Sequence, residues 1–495
     1  MGALILCLFY ILLSPAQGNT PVHRCDSPAM WRAFGGPGHR ALPPPPAARR
    51  FGPKMVRDAF GTIPNTYETE NFVLKWGISD GIETEDITAL GQAFEDAWSH
   101  ELETMGYPQP YGTEAYKLNV YIGGTEGNTP DISTSAAGYF YPDPEGFPMV
   151  VLGARFLSDT ESIKMTAAHE FFHAIQWYAN SDYVFGPNEP ANWYWEATAS
   201  WIEGQVYPNN PLYADPVAGF LLFPDLPLGT YEVPDQGTLV ELHPYGALLF
   251  PQYLGEHGPG VDFIRQTFLE TNGDNDPITV ADRLLKEQGS SMTEVFFSFA
   301  MHNATLDYKD RDWYLSALES DGGYENVLSH RPSGTLSRYS TEWKTPSENL
   351  PTGYGSNYWK IRDVPETYTV SFHSLSDTLG VVAVVTRDGE MHNARFTTFS
   401  GRESVVLEIE DANEQERWLV VANGTQDPLS VLNYEVRITI RGSQDTDTDL
   451  PPSEPSGGCT CNSPGTLSLS SPTVFLWFWL FRRRPHNARQ QPSIC

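Results

Sequence analysis

The stretch AAHEFFHAIQWY, Ala167–Tyr178, determines how this chain is interpreted. His169 and His173 stand four positions apart, Glu170 follows the first of them, and most of their neighbours are apolar. On a helix this spacing brings both imidazoles to one face, with Cβ atoms about 5 to 6 Å apart, which suits two ligands of a tetrahedral zinc ion. Glu170 can then serve as general base toward a zinc-bound water. The alternative is a buried helix with ordinary core histidines, but an unpaired carboxylate would be costly there.

The third protein ligand is expected on the next helix. An extended motif ending in a third histidine is absent, because Gln176 and Ala179 stand where Gly and His would be needed. The segment NWYWEATASWIEG instead places Glu196 among tryptophans, so we expect Glu196 to bind the metal and leave the fourth position to water. Glu203 follows two turns later, either as an acceptor for a ligand histidine or as a surface charge, and we expect the surface charge.

Apolar patterns before and after the quoted stretch predict a mixed sheet followed by helices. Residues 71–77 and 117–124 have the pattern of strands with a helix between them, and two further apolar segments predict two more strands. Ser158 and Glu161 predict a capping box that begins the helix carrying the two histidines. From about 189 to 318 the apolar spacing is mainly helical.

Beyond residue 337 short alternating segments such as TYTVSFHS and RWLVVANG recur, with turn signals between them. This spacing predicts an all-β sandwich of about a hundred residues. The predicted fold class is therefore α+β: a mixed sheet and a helical half, followed by the sandwich. An acidic linker rich in Pro and Ser ends the sandwich.

Both ends of the chain carry segments typical of exported proteins. The apolar run Ala3–Leu13 is followed by small and turn residues, which matches a secretory signal peptide and is too short to span a bilayer. The basic leader after it is rich in Pro and is interpreted as a propeptide or linker. Near the other end come Cys459 and Cys461, a short apolar run, and Arg482–Arg484.

These patterns divide the chain into six segments. The boundaries are 1–18 for the signal peptide, 19–60 for the leader, 61–336 for the mixed-sheet and helical domain, 337–441 for the sandwich, 442–458 for the linker and 459–495 for the C-terminal segment. The net charge of residues 61–481 is −40, because the leader contributes +5 and the tail +4 to a total of −31. So acidic a body repels phosphate backbones, and we therefore expect no nucleic-acid partner.

Two resemblances extend this interpretation. HEFFH followed by WYWEATASW resembles the zinc helices of gluzincin metallopeptidases (HExxH plus Glu), and the arrangement from ETENFVLKWG onward resembles secreted metalloproteases of myxobacteria. The gluzincin resemblance implies a zincin-like domain whose edge strand pairs with extended substrate, and a Tyr or His that stabilises the oxyanion. LHPYGALLF makes Tyr245 the candidate and His243 its substitute. The C-terminal segment resembles bacterial sorting tags, which implies export and sorting machinery and either release or anchoring at the outer membrane surface.

We therefore expect a secreted or surface-displayed zinc metalloendopeptidase that acts on protein or peptide substrates. Its expected residues are His169, His173 and Glu196 as ligands of Zn²⁺, with Glu170 and Tyr245 catalytic. Cys25 is a candidate latency ligand whose thiolate would take the open position of the zinc. The competing hypothesis is a non-catalytic cell-surface binding protein that presents the sandwich on a zincin-like scaffold. A structural envelope protein, with neither zinc nor turnover, is a third.

Overall fold

The computed structural model describes Cys25, Ser27 and residues 53–440, except for positions 80, 135, 180–182, 184–188, 232–237, 321–333, 347–348, 390 and 411–415. The predicted signal peptide, linker and sorting tag, and most of the leader, lie outside these residues.

The first half of the described chain is built on a mixed sheet. Its strands are β1 Asn65–Glu68, β2 Phe72–Trp76, β3 Leu118–Gly123, β4 Gly138–Pro142 and β5 Pro148–Gly153. Within the described residues their order is β1-β2-β3-β5-β4, with β2, β3 and β5 parallel and the two outer strands antiparallel to their neighbours. Strands β3 and β5 are buried along their whole length, which explains why their sequences are apolar except for Asn119. Strand β4 forms one edge of the sheet.

Helices pack against this sheet and continue beyond it. They are α1 Thr84–Trp98, α2 Thr160–Ala179, α3 Asn192–Val206, α4 Val217–Leu221, α5 Thr238–Glu241, α6 His243–Gly246, α7 Leu249–Glu256, α8 Val261–Leu269, α9 Pro277–Glu287, α10 Met292–Thr305 and α11 Arg311–Ser320. A π-helical turn, Ser99–Thr104, extends α1. Over the described residues no helix combines the length and the apolar character that crossing a membrane requires.

Helix α2 is buried on nearly every face, because it packs against α1, α3 and the sheet. The ring of Phe171 contacts Phe72 at 5.2 Å and stacks on Trp98 at 5.6 Å between centroids. This burial explains why the sequence of the helix has no polar face. The predicted capping box is wrong by one residue: the Asp159 carboxylate accepts hydrogen bonds from the Ser162 backbone N–H at 3.2 Å and the Ser162 hydroxyl at 2.6 Å.

The second half of the described chain is a pair of antiparallel-rich sheets. The strands are β6 Thr335–Ser337, β7 Ser356–Arg362, β8 Thr367–Ser374, β9 Leu379–Asp388, β10 Met391–Ser400, β11 Ser404–Glu410, β12 Glu416–Asn423 and β13 Tyr434–Thr439. Among the described residues they form a five-stranded sheet, β10-β9-β12-β7-β6, and a three-stranded sheet, β11-β8-β13. Side chains of both sheets share one core, for example Trp359 and Leu419 with Phe372 and Val436.

The outer face of the five-stranded sheet packs on the helical part. Helix α10 lies against β9 and β12. The residues of these two strands that join the larger core are Val381, Ala383, Val385, Trp418, Val420 and Ala422. One hydrophobic core therefore continues across residue 337. Helices, a mixed sheet and further sheets together give the predicted α+β class.

Candidate metal centre

Four side chains from three parts of the chain meet in a buried cluster. His169 and His173 come from α2, Glu196 from α3 and Cys25 from the leader, and their ligand-type atoms all lie within 4.8 Å of one another. The exposed fraction is 5% or less for His169, His173 and Glu196, and 7% for Cys25. The spacing of the two histidines on one helix and the packing of α3 on α2 bring these groups together.

The distances within the cluster fit one small cation. The two Nε2 atoms of His169 and His173 are 3.1 Å apart, and Glu196 Oε2 lies 3.3 Å from the first and 3.7 Å from the second. Cys25 Sγ lies 3.7 Å from His173 Nε2. Ligand bonds of about 2.0 to 2.3 Å to a tetrahedral zinc ion place neighbouring ligand atoms roughly 3.3 to 3.6 Å apart, close to these values.

A second observation on Glu196 also fits a cation. Its Oε1 atom is buried and has no hydrogen-bond partner in the part of the chain that the structure describes. A buried carboxylate oxygen without a partner is costly, and a metal ion is one group that compensates such a charge. Two imidazoles, a carboxylate and a thiol are also the donor types that zinc prefers. The residues present therefore fit a bound zinc ion.

The second ring nitrogen of each histidine has its own partner. Glu203 Oε1 lies 2.8 Å from His169 Nδ1. Gln176 Oε1 lies 2.6 Å from His173 Nδ1, while its Nε2 donates to Trp195 O at 3.1 Å and to the Thr198 hydroxyl oxygen at 2.8 Å.

These partners decide which histidine nitrogens are free for a metal. A carboxylate can only accept, and the amide of Gln176 already donates through its nitrogen, so both oxygens accept from an Nδ1–H group. When both rings are neutral, the Nε2 lone pairs of His169 and His173 are then directed at the cluster, which is the tautomer that metal binding requires.

Glu170 borders the cluster and lies against the edge strand. Its Oε2 accepts a hydrogen bond from the Ser27 hydroxyl at 3.4 Å. Strand β4 passes directly over it: a Cβ atom added at Gly138 would meet Glu170 Cγ at 3.0 Å and Thr166 Cγ2 at 2.9 Å. Glycine at 138 is thus what allows the strand to approach the helix so closely. A cleft lined by Glu170, Glu203, Tyr245 and other side chains opens at this point.

Tyr245 lies beside His169, and the two rings stack with centroids 6.2 Å apart. The Tyr245 hydroxyl donates to the backbone oxygen of Cys25 at 3.3 Å. His243, its predicted substitute, is fully buried and contacts Thr230 O through Nδ1 at 3.2 Å and the ring of Phe220. Burial lowers the pKa of His243 to about 4. Of the two, Tyr245 is the residue that borders the cluster.

Charges in the cluster are strongly coupled when no metal is bound. Burial raises the pKa of Glu196, but the charges and hydrogen bonds of His173 and His169 outweigh it and lower that pKa to about 2. Burial lowers the pKa of His169, but Glu196 and Glu203 outweigh it and raise that pKa well above its usual value. Burial, then the charges of Glu170 and Glu196, raise the pKa of the Cys25 thiol. Without a metal, the negative charge of Glu196 is therefore balanced by a proton on His169, which a bound cation would replace.

Sequence reasoning misses several neighbours of the site and misjudges one. Glu203 is 7% exposed and contacts His169, so the expectation of a surface charge is wrong. The burial of α3 on all sides, indicated by its tryptophans, is the physical reason. The sequence analysis considers Gln176 only because it stands where an extended motif would need Gly. On a helix, however, its position three residues after His173 indicates a contact between the two side chains. Nothing in the sequence indicates the position of Ser27.

The comparison with protein families covers most of the folded part. Residues 57–430 match DUF6055, a family of unknown function. This chain belongs to the DUF6055 family, whose match spans the mixed sheet, the helices and most of the paired sheets. No curated protein sequence matches the chain.

Proposed function

We propose that this chain is a zinc-dependent metalloendopeptidase of the gluzincin type, secreted or displayed on the cell surface. The observation that carries the proposal is the close approach of His169 Nε2, His173 Nε2 and Glu196 Oε2, 3.1 to 3.7 Å apart, with Glu170 beside them. Three protein ligands with a further position for water or substrate are the pattern of catalytic zinc sites.

Each residue has a distinct role in peptide hydrolysis. Zinc held by His169, His173 and Glu196 would polarise the peptide carbonyl and lower the pKa of a bound water to about 7. Glu170 accepts the proton of the attacking water and returns it to the leaving amine. Burial raises the pKa of Glu170 toward neutral pH, where a general base is most effective.

Tyr245 completes the set as the donor to the oxygen that gains charge in the transition state. Burial raises the pKa of its hydroxyl, so Tyr245 stays protonated and able to donate. Its hydroxyl already donates to a backbone carbonyl oxygen next to the cluster, that of Cys25. A substrate carbonyl at the same place would receive the same hydrogen bond.

The fold around the cluster supports a zincin-like arrangement. The helix with both histidines lies under a mixed sheet whose edge strand, β4, passes over Glu170, and the third carboxylate comes from the next helix. An extended peptide can add to such an edge through backbone hydrogen bonds. Export is expected from the predicted signal peptide and sorting tag. The paired sheets β6–β13, whose side chains share one core, support the predicted sandwich of residues 337–441.

The test of this function is the pair of wild type and Glu170→Gln, each loaded with zinc and assayed on casein. We expect cleavage that a chelator abolishes, with equal zinc content in both proteins and a loss of turnover on the order of 10²-fold or more in Glu170→Gln. Full activity in that variant would contradict the assigned base. Absence of zinc-dependent cleavage both in the folded wild type and in a folded Cys25→Ser variant would favour the binding-protein hypothesis.

A further inference from the structure

We propose that Cys25 is a fourth ligand of the metal and that Cys25 and Ser27 of the leader block the substrate site of their own chain. This inference rests on the proposed function, since it concerns the regulation of the same site. It assigns to Cys25 and Ser27, two described residues of the leader, a role in keeping the peptidase latent.

The thiol of Cys25 lies where a fourth ligand belongs. Its Sγ atom is 3.7 Å from His173 Nε2 and within 4.8 Å of the ligand atoms of His169 and Glu196. Cys25 is buried, and the Ser27 backbone N–H donates to its sulfur at 3.3 Å. A tetrahedral zinc ion bound by four protein ligands has no position left for water or substrate.

Two residues of the leader contact the edge of the mixed sheet. Cys25 forms a parallel bridge with Gly138 of β4, and two residues later the Ser27 hydroxyl oxygen accepts a hydrogen bond from Phe140 N–H at 2.9 Å. Cys25 makes its contact through the backbone, and Ser27, whose backbone is helical, makes its contact through the side chain. Cys25 and Ser27 therefore occupy the start of the edge to which an extended substrate would add.

The two catalytic side chains are also engaged by the leader. Tyr245 donates to the Cys25 carbonyl oxygen at 3.3 Å, and Ser27 donates to Glu170 at 3.4 Å. Metal ligand, edge strand, oxyanion donor and general base are thus all in contact with one short segment. A substrate cannot reach any of these four groups without displacing it.

Charge favours this docking. The leader, residues 19–60, carries a net charge of +5, whereas residues 61–481 carry −40. Within the described part of the leader, Arg57 pairs with Asp143 at 2.8 Å, and Lys54 donates to the Asn71 side chain at 2.5 Å. The leader is therefore attached to the body near its end as well as at Cys25.

The experiment adds Co²⁺ to the metal-free full-length chain and records its absorption. A thiolate ligand gives a charge-transfer band in the near ultraviolet, separate from the visible bands of tetrahedral Co²⁺. We expect this band in the wild type and in a variant with the other four cysteines (Cys7, Cys459, Cys461 and Cys495) changed to Ser. We expect Cys25→Ser to lose the band and keep the visible bands.

Activity is the second readout. We expect latent chains to outnumber competent chains by at least about ten to one in the wild type, so that at most about a tenth of the chains can cleave substrate. Zinc-loaded Cys25→Ser should therefore cleave casein at least about tenfold faster than wild type. The double variant Cys25→Ser with Glu170→Gln should stay inactive, which ties the gain to this site. Unchanged cleavage in a folded Cys25→Ser protein would overturn the latency.

Two further outcomes separate this inference from the proposed function. Tetrahedral Co²⁺ bands without a thiolate band in the wild type would refute the fourth ligand and leave the peptidase proposal standing, whereas failure to bind Co²⁺ would refute both. Should Cys25→Ser not fold, iodoacetamide is applied to the variant that keeps Cys25 alone, where the sulfur displaces iodide to form a thioether. The thiolate band should then disappear as casein cleavage rises, and alkylation with no loss of the band would contradict the inference.

Discussion

At the scale of single residues, the site depends on the partners of its histidines. Glu203 contacts His169 Nδ1 at 2.8 Å and is itself buried, so it fixes the ring while Nε2 is directed at the cluster. Removal of such a partner typically weakens metal binding by about 10- to 100-fold. We expect this loss of zinc affinity in Glu203→Ala, measured by competition with a chelator. Glu161→Ala, which removes an exposed carboxylate on α2, is the control and should keep the wild-type affinity.

The protonation of His169 makes metal binding depend on pH. In the metal-free site Glu196 and Glu203 raise the pKa of His169 more than burial lowers it, so the ring holds its proton to higher pH than an ordinary histidine. Because a protonated imidazole cannot bind a metal, zinc affinity should fall with decreasing pH from above about 6.5. Isothermal titration with Zn²⁺ at a series of pH values measures this. Glu203→Gln should move the fall to lower pH, and an affinity independent of pH between about 5 and 8 would contradict the account.

The sequence can predict those residues of the site that lie close together along the chain. His169, Glu170 and His173 lie within about one helical turn, and Glu196 is expected from the cost of burying a carboxylate among tryptophans. The structure brings these residues together. Cys25 lies 148 residues from His173, and its leader has no apolar periodicity. The sequence therefore makes Cys25 a candidate latency ligand only through its thiol, and no local pattern predicts its contacts.

At the scale of secondary-structure elements, the start of α2 sets the position of both histidines. Asp159 caps this helix by accepting from Ser162, whereas Ser158, the predicted cap, is exposed one residue earlier. We expect Asp159→Ala to lower the free energy of unfolding by about 0.5 to 2 kcal/mol, seen as a lower midpoint in urea. Ser158→Ala is the matched control and should change it by less than about 0.5 kcal/mol. A larger loss of unfolding free energy in Ser158→Ala than in Asp159→Ala would support the predicted capping box instead.

The strands and long helices themselves are predictable, because burial imposes a simple pattern on each. Strands β2 and β3 lie within the predicted segments 71–77 and 117–124, since a central parallel strand is buried on both faces and is therefore mostly apolar. The cap is harder to place, because Ser158 and Asp159 are adjacent and both can accept from a helix N-terminus. Only the position of the first helical N–H groups decides between them.

At the scale of the whole molecule, the helical part and the paired sheets share one core. Phe297 on α10 packs against Gly424 at the end of β12, where an added Cβ would come within 2.4 Å of its ring. We expect calorimetry of the full chain to give one unfolding transition for both parts. Phe297→Ala should lower this midpoint without splitting it, while Val406→Ala, at an exposed position, should leave it nearly unchanged. Two separate transitions in the wild type would contradict a shared core.

The sequence alone could not reveal this continuity. The change from helical to alternating patterns near residue 337 marks a change of secondary structure, and it is there that the sequence predicts a division into two domains. A strand pattern shows which side chains share a face but not what covers that face. Trp418 and Val420 belong to β12, yet they complete the core of the helical part, while Leu419 between them faces the other sheet.

The most direct test of the account is the zinc content of the purified full-length chain, measured by elemental analysis beside Glu196→Ala. The account predicts one zinc per wild-type chain, and loss or marked weakening of binding in the variant, since Glu196 supplies a ligand oxygen 3.3 and 3.7 Å from the two imidazoles. Calorimetry on the same samples establishes that both are folded. A folded wild-type chain that stays free of metal when zinc is supplied would contradict the account, because His169 and His173 would then be core residues.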